Sequence, residues 1–222
     1  LRSNPVEAKI RFQDPHSGAG GFGGSGAEFL SAWSVDREIP SLENPRAIFA
    51  WSAWEDSRAF PGSGADILLQ AFGVDRADPF FLEIDLVGRT LHEIFPANRG
   101  TAEISLFHTG KKLATHEISV PENLPVEEME EMVFRASQAL ESGNATAFGK
   151  EVNAYGEKLA SLGLLAPHSS KALEEIRGKQ GILGAKGCGA MGADVLLVVH
   201  QGGNWDKWAE ENSLAHVGSF PV

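Results

Sequence analysis

The stretch Gly21-Phe-Gly-Gly-Ser-Gly-Ala27 decides how the rest of the chain is interpreted. It belongs to a segment from Ser17 to Gly26 in which six of ten residues are glycine, a composition that a flexible linker would also have. Residues 27–35 are rich in apolar residues, however, and predict a helix directly after the loop. The first N–H groups of a helix are unpaired and lie at the positive end of its dipole. A glycine loop that enters a helix can therefore bind an anion, and phosphate binding and a plain loop are equally open at this point.

This loop differs from two other phosphate-binding loops. It lacks the Gly-Lys-Ser/Thr ending of the P-loop. No clear strand precedes it, and no acidic residue is well placed for a ribose, as a dinucleotide-binding fold requires. The residues therefore favour neither of those nucleotide-binding classes.

The composition excludes several other classes of function. The chain has 222 residues, enough for one large domain or two small ones, and a formal net charge of -11, which argues against a nucleic-acid partner. An anionic substrate must then be held by local devices such as helix N-termini, backbone N–H groups and Mg²⁺. No apolar run reaches the length of about 20 residues that a membrane helix needs, and no signal sequence is visible. With a single cysteine, Cys188, we expect no internal disulfide and a cytoplasmic location.

Hydrophobic periodicity predicts a mixture of helices and strands without strict alternation, which favours an α+β fold. Helices are predicted over residues 27–35, 46–57, 63–72, 125–140, 147–162, 169–179 and 205–211. Strands are predicted over residues 79–86, 101–108, 181–185, 194–200 and 215–220. We expect a boundary near residue 100, with a first lobe over 1–100 that contains the glycine loop and a second lobe over 101–222.

A group of acidic residues follows the loop in the segment from Trp54 to Asp66. Mg²⁺ usually takes one or two carboxylates, and a hydroxyl that attacks phosphorus benefits from a carboxylate that accepts its proton. Glu55 and Asp66 are candidates for these two roles, and Asp56 competes with Glu55. An ordinary solvated helix end is the alternative interpretation of Glu55 and Asp56.

These segments resemble the GHMP kinases, the family of galactokinase, homoserine kinase, mevalonate kinase and phosphomevalonate kinase. Residues 21–27 are similar to the family's Gly-Leu-Gly-Ser-Ser-Ala-Ala loop, with Gly24 in place of its first Ser and Ser25 at its second. Ser63-Gly-Ala-Asp66 is similar to the family's Ser-Gly-x-Asp segment. The resemblance implies that Ser25 and Glu55 bind Mg²⁺ and that Asp66 is the catalytic base.

Two segments of the second lobe extend the resemblance. Residues 106–116 are similar to a strand-Thr-Gly segment near the acceptor substrate, with Thr109 and Gly110 at the matching positions, although a polar hairpin explains them equally well. Residues 184–194 are similar to the family's third motif and end in Asp194, as in phosphomevalonate kinases. They depart from it at Cys188, for which a small buried thiol is the preferred interpretation, and at Met191 and Ala193, which replace glycines.

The resemblance implies a two-lobed fold with a ferredoxin-like second lobe, ATP and Mg²⁺ as cofactors, and a small anionic acceptor. The residues implied for the ATP phosphates are Gly20, Gly21, Phe22, Gly23, Gly24, Ser25 and Gly26. The residues implied for the acceptor are Ser63, Gly64, Thr109, Gly110, Lys186, Gly189 and Ala190.

The implied function is an ATP-dependent small-molecule kinase, with phosphomevalonate as the first acceptor and mevalonate, a sugar or homoserine as alternatives. Family members carry their first motif well upstream of the glycine loop, where this chain has few residues, so we expect that the N-terminal segment is missing. This absence, with the departures at Gly24, Met191 and Ala193, leaves a non-catalytic ligand-binding relative as a further alternative.

Overall fold

The structure is a computed structural model that describes residues 13, 24–35, 51–55, 64–73, 81–85, 90–94, 102–111, 113, 121 and 123–222. By compactness the chain divides into two units. The first contains two helices, α1 and α2, and a short helical segment at residues 51–55; the second contains the remaining helices and strands. The lobes predicted with a boundary at residue 100 are a different division and stay a prediction.

Within the described ranges, six helices and six strands can be given bounds. The helices are α1 (Gly24–Val35), α2 (Ala65–Gly73), α3 (Val126–Glu141), α4 (Ala145–Ser161), α5 (Pro167–Arg177) and α6 (Asp206–Glu211). The strands are β1 (Phe81–Asp85), β2 (Thr90–Ile94), β3 (Glu103–His108), β4 (Ile182–Cys188), β5 (Val195–His200) and β6 (Ala215–Pro221).

Each predicted helix and strand has a counterpart among the described residues. α1 begins at Gly24, three residues earlier than predicted, so the helix takes in the end of the glycine loop. The sequence prediction missed β2, which pairs antiparallel with β1 and places Ile94 opposite Phe81. Its sequence, Thr-Leu-His-Glu-Ile, has only two apolar residues and therefore gives a weak strand signal. The segment is a strand because it pairs with β1.

Aromatic side chains form the core of the first unit. Trp51 and Trp54, in the helical segment at 51–55, are both almost fully buried, as are Ile67 and Leu68 of α2. The ring of Phe29 on α1 meets the ring of Trp54 edge to face, with centroids 5.1 Å apart. These contacts hold the helical segment at 51–55 against α1.

The second unit is built on a four-stranded antiparallel sheet in the order β4-β5-β3-β6. Along the chain, β3 leads through helices to β4, β5 follows by a tight turn, and α6 leads to β6. This arrangement of two interleaved β-α-β units is the ferredoxin-like topology, so the α+β class and the ferredoxin-like second lobe are confirmed.

Helices cover both faces of this sheet. On one face α3 and α4, with the β1–β2 hairpin, pack around Ile104 and Val199. On the other face α5 and α6 pack around Phe107 and Leu196. None of the described helices is long and apolar enough to cross a membrane.

Glycines bring α4 and β4 into backbone contact. A Cβ atom on Gly184 of β4 would overlap the carbonyl oxygen of Gly149 on α4, and a Cβ on Gly149 would lie 2.6 Å from the backbone of Leu183. A Cβ on Gly156, two turns further along α4, would lie 3.0 Å from that of Lys186. The helix can therefore lie this close to the strand only because these positions have no side chain.

Two side chains form hydrogen bonds with the outer edge of β4, which is an edge strand. The Asn153 side-chain oxygen accepts a hydrogen bond from the Ala185 N–H at 2.8 Å, and Arg177 Nη2 donates to the Ala185 carbonyl at 2.7 Å. Arg177 Nε in turn donates to Asn153 at 3.1 Å. Unpaired edge groups invite pairing with other strands, and these two side chains satisfy them at Ala185.

A buried hydrogen-bond chain sets the protonation state of His200. The Gly202 N–H donates to His200 Nδ1 at 3.1 Å, which requires a lone pair on that nitrogen. Nε2 then carries the hydrogen and donates to Ser105 Oγ at 2.7 Å, and Ser105 Oγ lies 2.7 Å from Ser219 Oγ. Burial lowers the pKa of His200, although the Glu103 carboxylate, 3.9 Å from Nδ1, favours the charged ring. His200 is therefore neutral in the folded protein at neutral pH.

Replacement of Gly184 by Ala tests the contact between α4 and β4. The new methyl group would meet the rigid backbone of Gly149, so we expect the free energy of unfolding in urea to fall by about 1–3 kcal/mol. Gly178→Ala is the matched control, because its Cβ would meet only the Glu175 carbonyl at 3.6 Å and its φ is -79°. Equal stability of the two variants would contradict the proposed close approach.

The pH dependence of stability tests the neutral state of His200. A lowered folded-state pKa means that the unfolded chain binds more protons below about pH 6.5, so stability is lost as the pH falls through that value. We expect the free energy of unfolding to fall less steeply from pH 7.5 to 5.5 in His200→Gln than in the parent. A parent slope in His200→Gln would show that His200 is not the group that titrates.

Candidate active site

The first turn of α1 and the first turn of α2 meet at Gly26 and Asp66. A Cβ atom on Gly26 would lie 2.8 Å from Asp66 Oδ2 and 2.8 Å from the Cδ1 atom of Ile67. The Asp66 carboxylate therefore occupies the space beside the backbone of Gly26, and its side chain is partly exposed. The structure thus brings together two candidate residues that the sequence placed in separate motifs.

Glu55 belongs to the same unit. It ends the described helical segment at 51–55 and is partly exposed. Gly64, just before α2, has φ +67°, and a Cβ there would collide with the indole ring of Trp51. Because Gly64 lies against Trp51 and Phe29 lies against Trp54, the helical segment that carries Glu55 contacts the elements that carry the other candidates.

Several predicted residues cannot be compared in this way. Gly20, Gly21, Phe22, Gly23 and Ser63 lie outside the described residues. For Gly24 and Ser25 the structure describes their backbone positions at the start of α1.

In the second unit, Thr109 joins two of the predicted acceptor segments. It follows β3 and is almost fully buried, and its N–H donates to the Asp194 carbonyl at 3.0 Å. Its hydroxyl group donates to the Ala193 carbonyl and lies 3.2 Å from the Asp194 carbonyl. Gly110, next to it, is exposed and has φ +70°. Thr109 therefore holds the turn between β4 and β5 in place, and its contact with an acceptor stays a prediction.

This turn has an unusual backbone. Gly189 and Gly192 have φ values of +82° and +57°, and Met191 has φ +52° within a single 3₁₀ turn at Ala190–Gly192. A residue with a side chain adopts this left-handed conformation at a cost of about 1–2 kcal/mol. The backbone is therefore strained at Met191, where the resembled family has glycine. The Asp194 side chain packs against Gly189 so closely that no Cβ would fit there.

The start of α5 anchors the same turn through residues that the sequence analysis did not single out. Ser169 Oγ donates to the Gly192 carbonyl at 2.7 Å, and His168 Nε2 donates to the Ala193 carbonyl at 3.0 Å. The Ala166 N–H donates to the Met191 carbonyl at 2.8 Å. Only Pro167, a residue common at the first helical position, marks this helix start in the sequence.

The Lys186 side chain lies on the face of β4 that α4 covers. Its Nζ lies 5.6 Å from the centre of the Tyr155 ring and 3.4 Å from Cys188 Sγ. Cys188 is partly exposed, so the preferred interpretation as a buried thiol is wrong.

The first unit offers groups that suit a nucleotide phosphate and Mg²⁺. The N–H groups of the first turn of α1 suit an anion, and the Asp66 carboxylate lies beside this turn at Gly26. Within the described ranges, no group of three or more His, Cys, Asp or Glu side chains could hold a metal ion. Mg²⁺ that is shared with phosphates needs only one or two protein carboxylates, so Ser25 and Glu55 remain adequate candidates.

Comparison with solved structures identifies the architecture. The structure matches galactokinase from Lactococcus lactis complexed with galactose, with a TM-score of 0.65 and 15% identity over 92% of this chain and 68% of that chain. The chain has the GHMP kinase fold. Phosphomevalonate kinase from Streptococcus pneumoniae, in complex with phosphomevalonate and AMPPNP, matches with a TM-score of 0.62 and 13% identity over 88% of this chain and 65% of its own. Mevalonate kinase from L. major, in complex with R-mevalonate, matches with a TM-score of 0.61 and 13% identity over 89% and 65%.

The GHMP kinase fold predicted from the sequence is thus confirmed. This chain spans 65% of the lengths of the mevalonate kinase and the phosphomevalonate kinase. No protein-family model matches the sequence, and no curated protein matches it. These kinases act on several different molecules, so the shared fold does not distinguish one acceptor from another.

Gly26→Ala tests the contact between the two first turns. The new methyl group should displace the ends of the Asp66 and Ile67 side chains, while stability changes by no more than about 1 kcal/mol because Ala favours the helix. We expect the carboxyl ¹³C resonance of Asp66 to shift in NMR spectra. Glu28→Ala, at an exposed position of the same helix, should leave that resonance in place. An unshifted resonance in Gly26→Ala would mean that the carboxylate does not lie against Gly26.

Proposed function

We propose that this protein is an ATP-dependent kinase of a small anionic molecule. The observation that supports this most is the position of the Asp66 carboxylate, which lies against Gly26 in the first turn of the helix that follows the glycine loop. A carboxylate beside an anion-binding helix start can receive a proton where phosphate is transferred.

In this proposal the chain provides the groups that hold and orient the reactants. Backbone N–H groups of residues 20–26 bind the phosphates, and Ser25 and Glu55 bind Mg²⁺. ATP supplies the γ-phosphoryl group, and Mg²⁺ neutralises charge on the phosphate oxygens. Asp66 accepts the proton of the acceptor hydroxyl, and the packing of Trp51 against Gly64 holds the start of α2 in position for this role.

Phosphomevalonate is the acceptor that we propose first. The phosphomevalonate kinase from S. pneumoniae is among the structural neighbours, and the turn after β4 ends in Asp194, as the sequence resemblance to those kinases requires. For an acceptor that is itself a phosphate, Asp66 serves mainly to orient it. Mevalonate, galactose and homoserine are the alternatives on the same fold.

A non-catalytic ligand-binding protein is the candidate from another class. Gly24 removes a hydroxyl group that the resembled loop carries. Met191 places a side chain where the third motif has glycine, and it does so in a left-handed backbone conformation that disfavours a side chain. Such a protein would bind nucleotide without turnover.

Measurement of ADP release decides between these candidates. Purified protein with ATP and Mg²⁺ is given phosphomevalonate, mevalonate, galactose or homoserine separately, and we expect turnover with phosphomevalonate. Asp66→Asn should lower kcat by about 10²–10⁴-fold with a hydroxyl acceptor and less with a phosphate acceptor.

Glu28→Gln is the matched control, because it removes one negative charge from an exposed position of α1 near the same helix start. Its turnover should equal that of the parent. Full activity of Asp66→Asn would remove the proposed role of Asp66. ATP binding without turnover on any acceptor would favour the non-catalytic protein.

A further inference from the structure

The second unit contains a cavity of about 310 Å³ on the side of the sheet that α3 and α4 cover. Most of its wall is apolar and comes from three elements: the β1–β2 hairpin with Phe81 and Ile94, α3 with Val133, and α4 with Phe148 and Val152. The volume lies at the lower end of the range of about 300–1,000 Å³ for small-molecule sites. The cavity therefore suits a small, largely aliphatic ligand.

Three hydrogen-bond donors line this apolar space. They belong to Ser137 on α3, Tyr155 on α4 and Lys186 on β4. Ser137 is only 8% exposed, and Tyr155 is partly exposed. The Lys186 ammonium group has no carboxylate partner within the described part of the chain, since its neighbours are Cys188 Sγ and the Tyr155 ring.

The acidic residues of the cavity already lie beside nitrogen-bearing side chains. The Glu151 carboxylate forms an ion pair with Arg135 Nη2 at 3.0 Å, and this contact raises the pKa of Arg135. Glu83, on the hairpin, lies 3.7 Å from His92 Nδ1. The groups that remain available in the cavity are therefore donors, and one of them is positively charged.

Ser137 is buried, whereas Tyr155 and Lys186 are partly exposed, so an acceptor that enters the cavity from outside the chain can reach the charged donor. We propose that the cavity binds a small aliphatic carboxylate, with its carboxylate group at Lys186 and its alkyl chain between the β1–β2 hairpin and α3. A charge-assisted hydrogen bond from the ammonium group provides the polar contact, and burial of the alkyl chain provides the apolar one. The proposal does not depend on phosphoryl transfer.

The sequence offers a direct probe, because Tyr155 is the one tyrosine of the 222 residues. Protein that carries 3-fluorotyrosine therefore gives a single ¹⁹F resonance from the cavity wall. We expect this resonance to shift in a saturable way when octanoate is added. Octan-1-ol, which has the same alkyl chain without the charge, should bind at least tenfold more weakly.

Variants locate the ligand and identify its polar contact. Lys186→Met should weaken octanoate binding at least tenfold, and Lys186→Arg should restore it, since the charge is retained. Lys207→Met, at an 87% exposed lysine of α6, should bind octanoate as the parent does. Ala136→Leu fills the cavity from α3 and should abolish binding without any change at Lys186.

Three results would overturn the proposal. The first is the lack of a saturable shift with octanoate, and the second is equally tight binding of octan-1-ol. The third is unchanged octanoate affinity in either Lys186→Met or Ala136→Leu. Because the probe reports binding at Tyr155 and not ADP release, its outcome is separate from that of the kinase assay.

Discussion

The contact between α4 and β4 is the constraint on which the second unit depends. Gly149 and Gly184 have no side chains, so the helix α4 can lie directly against the backbone of the strand β4. The short distance between α4 and β4 is a consequence of these two glycines. Because α4 lies so close, Asn153 can reach the outer edge of β4 and pair with Ala185. The same approach places the Tyr155 ring beside Lys186, so the cavity and its charged end both derive from backbone packing.

The first unit also contains glycines that allow neighbouring groups to pack closely. Gly26 leaves room for the Asp66 carboxylate, and Gly64 leaves room for the Trp51 ring while it adopts a backbone angle that other residues avoid. These two glycines thus make room for the Asp66 and Trp51 side chains, and their role is close packing rather than flexibility. A glycine-rich composition suggests a loose chain, yet these two positions belong to tightly packed contacts.

The sequence predicted the fold well because its signals are local. Apolar periodicity located α3 and α4, and the glycine loop with Asp66 indicated the family fold that the structure confirms. Contacts between distant segments could not be predicted from the sequence. The strand β2 forms because β1 lies beside it, and the Thr109 hydroxyl group donates to carbonyl groups of a turn more than 80 residues further along the chain. Lys186 was predicted from its motif alone, whereas the cavity beside it depends on Ser137 and Tyr155, which lie on different helices. The roles predicted for Ser25 and Glu55 stay predictions.

The position of β3 in the sheet has a consequence for how the protein is made. β3 lies between β5 and β6, and its partner residue Ser219 is 114 positions further along the chain than Ser105. The ribosome therefore releases β3 long before either neighbouring strand exists, while Ile104 and Phe107 offer apolar side chains on both of its faces. Sheets closed by such distant pairings assemble slowly. During synthesis this strand should need shielding, for example by a chaperone, until β5 and β6 have emerged.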